Sequence, residues 1–374
     1  NEMVDTPNFD LIASQGIKAE SLIPIFPSLT FPNHYAIATG CYVENHRIAG
    51  NQFYDKKLKK LYSYRNRKTV ENEQFYGAEP IWVTAEKQNI KSATYFWVGS
   101  EASVNGYSPS IYKKYTKENW RPFKTVIDTA FSWLSKPYKN RPKLIMLYHN
   151  QPDKEGHKYG AVNKHVRKKI KQSDEYVGYL IDQIKQFNLE DSINVIILSD
   201  HGMIDVKKDG LIFLDDYINI NDDDIIIHTY GLISQIDVLN PTKMNQILST
   251  NIDNAQMFSR NNIPERFHYV NNNTTDIILA ANPGYYITNH KKQEKRPFDA
   301  KGMHGYDPEL KDMHAIFYAF GPSFLKGKYI NSFENIHIYP LICKLLAIKP
   351  NEEGDELPQG RLDKVQAILK LNSE

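Results

Sequence analysis

Three groups of aspartate and histidine side chains have the types and spacing of a metal centre. They are Asp200-His201, directly after the apolar residues 193–198; Asp153 and His157, four residues apart with Gly156 before the histidine; and His304, flanked by Gly302 and Gly305. Carboxylate oxygens and imidazole nitrogens are common zinc ligands, and neighbouring glycines leave room for an ion to approach. The groups therefore predict a zinc centre if the fold brings them together.

One hydroxyl residue has the surroundings of a nucleophile. Thr30 is framed by Pro27 and Pro32, and residues 36–40 have the composition of a continuing helix. A hydroxyl at a helix N-terminus lies beside free backbone N–H groups and the positive end of the helix dipole, which together favour a phosphate. The alternative interpretation is that Thr30 is simply a helix N-cap.

Apolar runs and helical periods predict the elements that position these residues. Residues 144–148, 193–198 and 315–320 are predicted strands, and residues 164–187 and 336–346 are predicted helices. Alternating strands and helices are typical of an α/β fold, so we expect a mostly parallel central sheet with helices on both faces. Ligands bind such sheets beyond the carboxyl ends of the strands. The Asp153 and Asp200 groups follow two predicted strands at those ends.

The composition narrows the class of protein. The 374 residues carry a net charge of +2 from 46 basic and 44 acidic residues, so a polymeric nucleic acid is not implied as a partner. No apolar run approaches the ~20 residues of a transmembrane helix. Cys41 and Cys343 have no metal-binding spacing, and one disulfide and two buried thiols both remain open.

Ordered motifs between residues 6 and 350 carry a family resemblance. They are TPNFD (6–10), FPSLTFPNH (26–34), GNQFYD (50–55), GAEPIW (77–82), FWVGSE (96–101), PDKEGH (152–157), SDHGM (199–203), PG (283–284) and GMHGY (302–306). In these motifs the chain resembles the nucleotide pyrophosphatase/phosphodiesterase family of the alkaline phosphatase superfamily. The resemblance implies an alkaline phosphatase-like α/β fold and a single catalytic domain over residues 1–374.

The resemblance also implies roles for the residues that match the motifs. Thr30 would be the nucleophile and would touch the second of two Zn²⁺ ions. One zinc would be held by Asp153, His157 and His304, and the other by Asp200 and His201. Asn51 would bind a phosphate oxygen, Phe31 would stack on a nucleobase, and Tyr115 would cover the other face of the base.

Two positions depart from the family pattern. The family's second zinc takes another aspartate from an Asp-Gly turn that ends the first strand, and Asp5 has neither a strand before it nor a glycine after it. We therefore expect that strand and its aspartate to lie just upstream of Asn1. His149 and Asn150 occupy positions where the family often has acidic residues, which leaves the preference for base and substrate open.

The function implied is zinc-dependent hydrolysis of nucleotide phosphodiester or pyrophosphate bonds through a phosphothreonine, with release of nucleoside 5′-monophosphates. Small nucleotides such as ATP or dinucleotides would be the substrates. A phospholipid or choline-phosphate diesterase and a phosphomonoesterase are alternatives, because the superfamily shares its metal site. A non-catalytic binding protein with the same fold is a further alternative, supported only by the missing aspartate. The resemblance further implies an extracellular, periplasmic or lumenal protein, with any membrane anchor upstream of Asn1.

Overall fold

The structure, a computed structural model, describes residues 4–370. The helices are α1 (Pro7–Gln15), α2 (Thr30–Thr39), α3 (Val43–His46), α4 (Arg67–Val70), α5 (Ile81–Lys87), α6 (Phe123–Leu134), α7 (Asp153–Tyr159), α8 (Lys164–Gln186), α9 (Pro241–Leu248), α10 (His290–Lys295) and α11 (Ile338–Leu346). Among the described residues, none of these helices is long and apolar enough to cross a membrane.

The strands are short and distributed along the whole described chain. They are β1 (Ile17–Ala19), β2 (Leu22–Ile23), β3 (Gln52–Asp55), β4 (Lys60–Ser63), β5 (Ser92–Tyr95), β6 (Ile111–Lys113), β7 (Leu144–Leu147), β8 (Val195–Leu198), β9 (Ile204–Asp205), β10 (Leu211–Phe213), β11 (Ile225–Ile227), β12 (Ile233–Val238), β13 (Ala255–Ser259), β14 (Ile277–Ala281), β15 (Tyr286–Thr288), β16 (Gly302–Met303), β17 (Phe317–Phe320), β18 (Lys328–Ile330) and β19 (Phe333–Glu334). The three strands and two helices expected from sequence all form, each within two residues or so of its predicted bounds.

Two sheets make up the central layer. In one, β5 lies between β6 and β7 and pairs with both in parallel. In the other, of order β18-β1-β17-β8, β1 is parallel to β18 but β17 runs antiparallel to both of its neighbours. The central layer therefore contains both parallel and antiparallel pairs. β17, the strand predicted at residues 315–320, is the one that pairs in antiparallel fashion.

Helices cover both faces of this layer, as expected. In β17, Phe317 packs in the same core cluster as Leu341 of α11. The next residue, Tyr318, points to the other face and packs with Phe9 of α1 and Val177 of α8. Alternate residues of a strand face opposite sides of a sheet, so both faces of β17 are buried, and each large apolar side chain contributes roughly 2 kcal/mol to stability by its burial.

The two central sheets are not joined by a backbone ladder among the described residues. Within residues 4–370, β7 pairs only with β5, and β8 pairs only with β17. Side chains of both strands nevertheless pack in one core cluster, which contains Leu144 and Met146 of β7 and borders Ile196 and Leu198 of β8. Each of these neighbouring strands thus keeps one edge without a described partner.

A separate antiparallel sheet, of order β11-β12-β14-β13, packs beside the central layer with its own apolar cluster. The two cysteines are free thiols, and both are buried. Burial raises the pKa of Cys41 and of Cys343 to about 12. The disulfide left open by the sequence is therefore absent, and the two thiols belong to the core.

Candidate metal centre and active site

Thr30 is the first residue of α2, and Leu29 is its N-cap. The interpretation of Thr30 as an N-cap is therefore wrong, because the cap position is one residue earlier and carries no side-chain cap bond. Buried Asn33 holds the preceding loop: its side chain accepts from Ile25 N at 2.7 Å and donates to Pro27 O at 3.0 Å. The Thr30 hydroxyl is left to face His201, whose Nε2 lies 3.2 Å from Oγ1.

Asn51 is fixed against the same helix terminus. Its side-chain oxygen accepts a hydrogen bond of 2.9 Å from the backbone N–H of Phe31, one of the amides that has no partner within the helix. This contact places the Asn51 amide nitrogen, a hydrogen-bond donor, beside Thr30. The first turn of α2 and Asn51 together present donors where a phosphate oxygen could bind.

His157 and His304 converge on one point. The Nδ1 atom of His157 lies 2.8 Å from Gly302 O, and that of His304 lies 3.0 Å from Ser28 O. A carbonyl oxygen can only accept, so both Nδ1 atoms carry the proton and both Nε2 atoms have a free lone pair. These two Nε2 atoms are 3.2 Å apart, and each is 3.5 Å from Asp153 Oδ1.

The Asp153 oxygen at this point lacks a partner. Oδ1 is buried and accepts no hydrogen bond, and burial raises the pKa of the Asp153 carboxyl. Burial, followed by the nearby His201 and His157, holds the pKa of His304 well below its usual range. Two imidazole lone pairs and a carboxylate oxygen that face one another repel unless a cation lies between them, so the donor set fits a metal ion.

A second group lies directly beside the first. Asp200 Oδ2 is 3.1 Å from His201 Nε2 and 3.3 Å from His34 Nδ1. Burial alone would raise the pKa of Asp200, but the two histidines outweigh it and hold that pKa well below its usual range. Burial likewise opposes the charge on His201, yet Asp200 raises the pKa of His201 to about 9.

The two groups are in contact through their histidine rings. His201 and His304 stack with centroids 3.5 Å apart and planes 8° apart, and ligand atoms of Asp153, His201 and His304 lie within 4.8 Å of one another. Because these three residues come from both groups, the two groups form one candidate metal-binding cluster. The Thr30 hydroxyl lies on the side of the second group.

Aromatic side chains border the centre. Phe31 packs against Tyr62 and Tyr64, with ring centroids 6.1 and 5.8 Å away. Tyr115 is 46 % exposed and contacts the ring of Tyr148 at 6.1 Å. Phe31 follows Thr30 directly in α2, and Tyr115 reaches the site through its contact with Tyr148.

Sequence reasoning missed two residues of this site, His34 and Tyr148. His34 lies one turn after Thr30, and nothing in the sequence indicates a role for it. In the structure its ring contacts both Asp200 and Tyr148. Burial, then the charges of Asp200 and Asp153, raises the pKa of the Tyr148 phenol well above its ordinary value. The available signal was position: Tyr148 follows the last residue of β7, at the carboxyl end where ligands of such sheets lie.

Comparisons with known proteins agree with this architecture. The family model for type I phosphodiesterase / nucleotide pyrophosphatase matches residues 1–307. Venom phosphodiesterase 2 of Crotalus adamanteus is 34% identical over 363 residues, covering 92% of this chain and 43% of that protein. Human ectonucleotide pyrophosphatase/phosphodiesterase family member 1 is 33% identical over 345 residues, covering 90% and 37%. The chain thus spans less than half the length of these relatives.

A shorter relative and solved structures extend the comparison. Rat ectonucleotide pyrophosphatase/phosphodiesterase family member 7 is 33% identical over 368 residues, covering 95% of this chain and 82% of that protein. Murine ectonucleotide pyrophosphatase/phosphodiesterase 5 superposes with a TM-score of 0.89 at 28% identity, covering 98% of this chain and 95% of that one. An inactive threonine-to-alanine variant of the murine protein in complex with AMP superposes equally well.

The family match covers most of the chain, and the human and rat relatives and the solved structures are named ectonucleotide pyrophosphatase/phosphodiesterases. The expected alkaline phosphatase-like α/β fold is confirmed by the same superpositions. The chain belongs to the nucleotide pyrophosphatase/phosphodiesterase family.

Proposed function

We propose that this chain hydrolyses nucleotide phosphodiester and pyrophosphate bonds with two Zn²⁺ ions and a phosphothreonine at Thr30, and releases nucleoside 5′-monophosphates. The observation that supports this most directly is the position of the Thr30 hydroxyl. It lies at the first residue of α2 and is 3.2 Å from a histidine of a metal-type cluster.

The residues proposed to hold the ions are those that the fold brings together. Asp153, His157 and His304 form one set, and Asp200, His201 and Thr30 form the other. When bound, the zinc ions supply Lewis acidity that lowers the pKa of a coordinated hydroxyl and stabilises charge on the attacking and leaving oxygens. Each histidine Nδ1 lies at a backbone carbonyl, which leaves the Nε2 atoms free and would orient them as ligands.

The reaction of the protein groups takes two steps. Thr30 Oγ1 gives its proton to solvent and forms a bond to phosphorus while the bond from phosphorus to the leaving oxygen breaks. The leaving group departs with the electron pair of that bond and can take up a proton from solvent. Water then cleaves the phosphothreonine, which restores the Thr30 hydroxyl and releases the nucleotide. Asn51 and the free N–H groups of α2 bind the equatorial oxygens, where charge is greatest in the transition state.

The bordering aromatic rings support a nucleotide substrate. Phe31 is proposed to stack on one face of a nucleobase and Tyr115 on the other, and ATP or dinucleotides are the proposed substrates. The AMP complex of the murine relative is consistent with a nucleoside monophosphate product. Because the relatives include venom and ectonucleotide enzymes, we propose that the chain acts in an extracellular, periplasmic or lumenal compartment.

A further part of the proposal concerns the two unjoined central sheets. β7 and β8 lead to Asp153 and Asp200, whose charges influence each other, so their carboxyl ends lie close together. The four residues of β8 are only partly buried, although they occupy the central layer. We propose that one more strand pairs between β7 and β8 and supplies the additional aspartate; the predicted strand before Asn1 lies outside the described residues and is the proposed occupant.

The test is turnover of p-nitrophenyl thymidine 5′-monophosphate beside p-nitrophenyl phosphate, with and without a chelator, together with metal analysis. We expect diester hydrolysis that the chelator abolishes and that added Zn²⁺ restores. Zinc-independent turnover, or no turnover after zinc loading by a form that includes the proposed strand before Asn1, would contradict the proposal. A greater rate with phosphocholine esters than with the thymidine diester would instead favour the phospholipid or choline-phosphate alternative.

A further inference from the structure

The proposed phosphate ligand Asn51 leads directly into a β-hairpin. β3 begins at Gln52, the residue after Asn51, and pairs with β4 in antiparallel fashion along its whole length. The backbone N–H of Tyr64, directly after β4, donates to the backbone oxygen of Asn51 at 3.0 Å. The main chain of Asn51 is thus part of the hairpin, and the position of its side chain depends on the contacts that hold the hairpin in place.

The separate antiparallel sheet holds this hairpin at Tyr54. The backbone N–H of Tyr54 donates at 2.8 Å to the side-chain oxygen of Gln235, a buried residue of β12. The Tyr54 ring also stacks on the ring of His228, with centroids 3.7 Å apart and planes 6° apart. His228 follows β11 directly, and its Nε2 lies 2.9 Å from Asp237 Oδ2. Two neighbouring parts of the sheet therefore contact one residue of β3.

A second contact between hairpin and sheet is ionic. Lys56, directly after β3, places Nζ 3.0 Å from Asp237 Oδ1 and 2.6 Å from Asp276 Oδ1. Asp237 belongs to β12, and Asp276 directly precedes the neighbouring strand β14. Burial alone would lower the pKa of the Lys56 ammonium, but hydrogen bonds to both carboxylates outweigh it and raise that pKa. Because these groups are partly buried, water screens them less than an ion pair on the open surface.

The same sheet also supports the nucleophile side of the phosphate site. Leu29, the residue before Thr30, packs against the apolar cluster that contains Ile236 of β12. The helix that begins at Thr30 and the hairpin that follows Asn51 are thus both anchored on this sheet. The hydrogen bond from Phe31 N to the Asn51 side chain joins the two across the site. A shift of the hairpin relative to the sheet would therefore move the Asn51 amide relative to Thr30.

We propose that Lys56, through its ion pairs with Asp237 and Asp276, is a positioning residue for Asn51, because it fixes the hairpin against the sheet and so holds the Asn51 amide at the phosphate oxygen. This inference rests on the proposed function, in which Asn51 binds that oxygen. An extended strand of five residues spans up to about 16 Å, so Lys56 acts through the hairpin and not on the substrate.

The test is a double-mutant cycle between Lys56 and Asn51. In Lys56→Gln, we expect kcat/KM for p-nitrophenyl thymidine 5′-monophosphate to fall at least ~5-fold, with zinc content unchanged because no proposed metal ligand is altered. In the Asn51→Ala background the same substitution should change kcat/KM less than ~2-fold, because the side chain that Lys56 positions is already absent.

Two further variants serve as controls. Lys56→Arg keeps the positive charge and should retain most of the wild-type kcat/KM. Lys57→Gln makes the same charge change at the next residue, which is exposed, and should leave kcat/KM unchanged in both backgrounds. An equal loss from Lys56→Gln in both backgrounds would show a general effect on the fold, and no loss in the wild-type background would show that Lys56 does not act on Asn51. Either result overturns the inference.

A second measurement does not require turnover. The backbone N–H of Phe31 donates to the Asn51 side chain, so its hydrogen exchange, followed by NMR, reports how firmly Asn51 is held. We expect this exchange to be at least ~3-fold faster in Lys56→Gln than in the wild type or Lys57→Gln. Absence of zinc-dependent turnover in the wild type would refute the proposed function separately. The exchange rate then decides alone, and equal rates in the three proteins would overturn the positioning role of Lys56.

Discussion

At the scale of residues, the hydrogen bonds of the histidine Nδ1 atoms determine which side-chain atoms remain free to bind a metal ion. His157, His201 and His304 each commit Nδ1 to a backbone carbonyl, so each presents Nε2 to the same small region. Buried Asp153 Oδ1 has no donor there. A set of acceptors without donors is costly in a protein interior unless a cation satisfies it, which makes removal of metal a large perturbation of this centre.

If Thr30 is the nucleophile, replacing it should affect turnover much more than binding of the nucleotide product. Thr30→Ala should abolish turnover of the thymidine diester, because the attacking oxygen is lost, whereas binding of a nucleoside monophosphate should remain close to wild type. Thr30→Ser keeps the oxygen and should retain measurable turnover. The check is the steady-state rate together with calorimetric titration of TMP.

The control for this prediction is Thr39→Ala, at the last residue of the same helix, where the hydroxyl bonds only to the backbone of Tyr35 and to Cys41 N. This variant should turn over the thymidine diester at the wild-type rate, when the rate is calculated per folded molecule. Near-normal turnover by Thr30→Ala would refute the assignment of the nucleophile.

A buried histidine away from the centre predicts acid sensitivity. Burial lowers the pKa of His46 to about 3; its Nδ1 accepts from Ile48 N at 3.1 Å, and its Nε2 has no partner. Below the ordinary histidine pKa of about 6.5, His46 is protonated in the unfolded chain but stays neutral in the folded chain. The free energy of unfolding therefore decreases as the pH falls. The slope is about 1.4 kcal/mol per pH unit between the two pKa values.

The variant His46→Asn tests this slope, because an Asn oxygen can still accept from the N–H two residues on. We expect its free energy of unfolding to fall less steeply than that of the wild type between pH 6 and pH 4, measured by urea denaturation of zinc-loaded protein. Parallel slopes for the two proteins would show that His46 is protonated in the native state.

Many of the candidate site residues could be predicted from residue types and spacing. The others could not be predicted, and the reason is physical. The Asp153, Asp200 and His304 groups were found because ligand pairs lie next to glycines or directly after apolar runs. His34 and Tyr148 were missed because their roles arise from ring contacts across the site, between residues 114 positions apart in the chain. Contacts of that kind depend on how α2 packs against the end of β7, which local sequence does not encode.

At the scale of elements, the sequence predicted which segments form helices and strands better than it predicted the direction in which a strand runs in its sheet. Apolar runs marked β7, β8 and β17, and the helical period marked α8, whose buried residues include Val166, Val177 and Ile184. The direction of β17 was not predicted, because an apolar strand buried on both faces has the same composition in either orientation. Direction is decided by the connections around the sheet, not by the strand itself.

Among the described residues, β7 and β8 each have one edge without a strand partner, and this allows a prediction. Unpaired strand edges expose N–H and C=O groups that pairing would satisfy, and the proposed additional strand would satisfy two edges at once. A longer form of this protein should contain, shortly before Asn1, an apolar strand that ends in Asp-Gly. Zinc analysis after dialysis should give about two ions per chain for that longer form and fewer for residues 1–374.

The matched control is the longer form with that aspartate replaced by asparagine, which keeps the strand but removes the ligand charge. It should regain the thermal stability of the longer form without its second zinc. A longer form that lacks such a strand, or that binds no more zinc than residues 1–374, would contradict the complete two-metal site.

At the scale of the whole molecule, charge distribution argues for diesters over monoesters. The net charge of +2 is spread over 46 basic and 44 acidic residues. Among the described residues, no lysine or arginine forms an ion pair with Asp153 or Asp200. Residues 27–33 around Thr30 and residues 49–53 around Asn51 carry no cation. Apart from the proposed metal ions, the donors available to the reacting phosphate are neutral.

A phosphomonoester dianion brings one more negative charge to that centre than a diester, and one missing charge pair in a partly dry site is worth several kcal/mol. We therefore predict that kcat/KM for p-nitrophenyl thymidine 5′-monophosphate exceeds that for p-nitrophenyl phosphate by at least ~100-fold, about 2.7 kcal/mol of transition-state stabilisation. Lys154 is the nearest cation in sequence, but it is exposed, so Lys154→Gln should leave this preference for diesters in place. Equal or reversed values for the two substrates would mean that a cation distant in sequence reaches the phosphate, and the phosphomonoesterase alternative would then be the better description of the site.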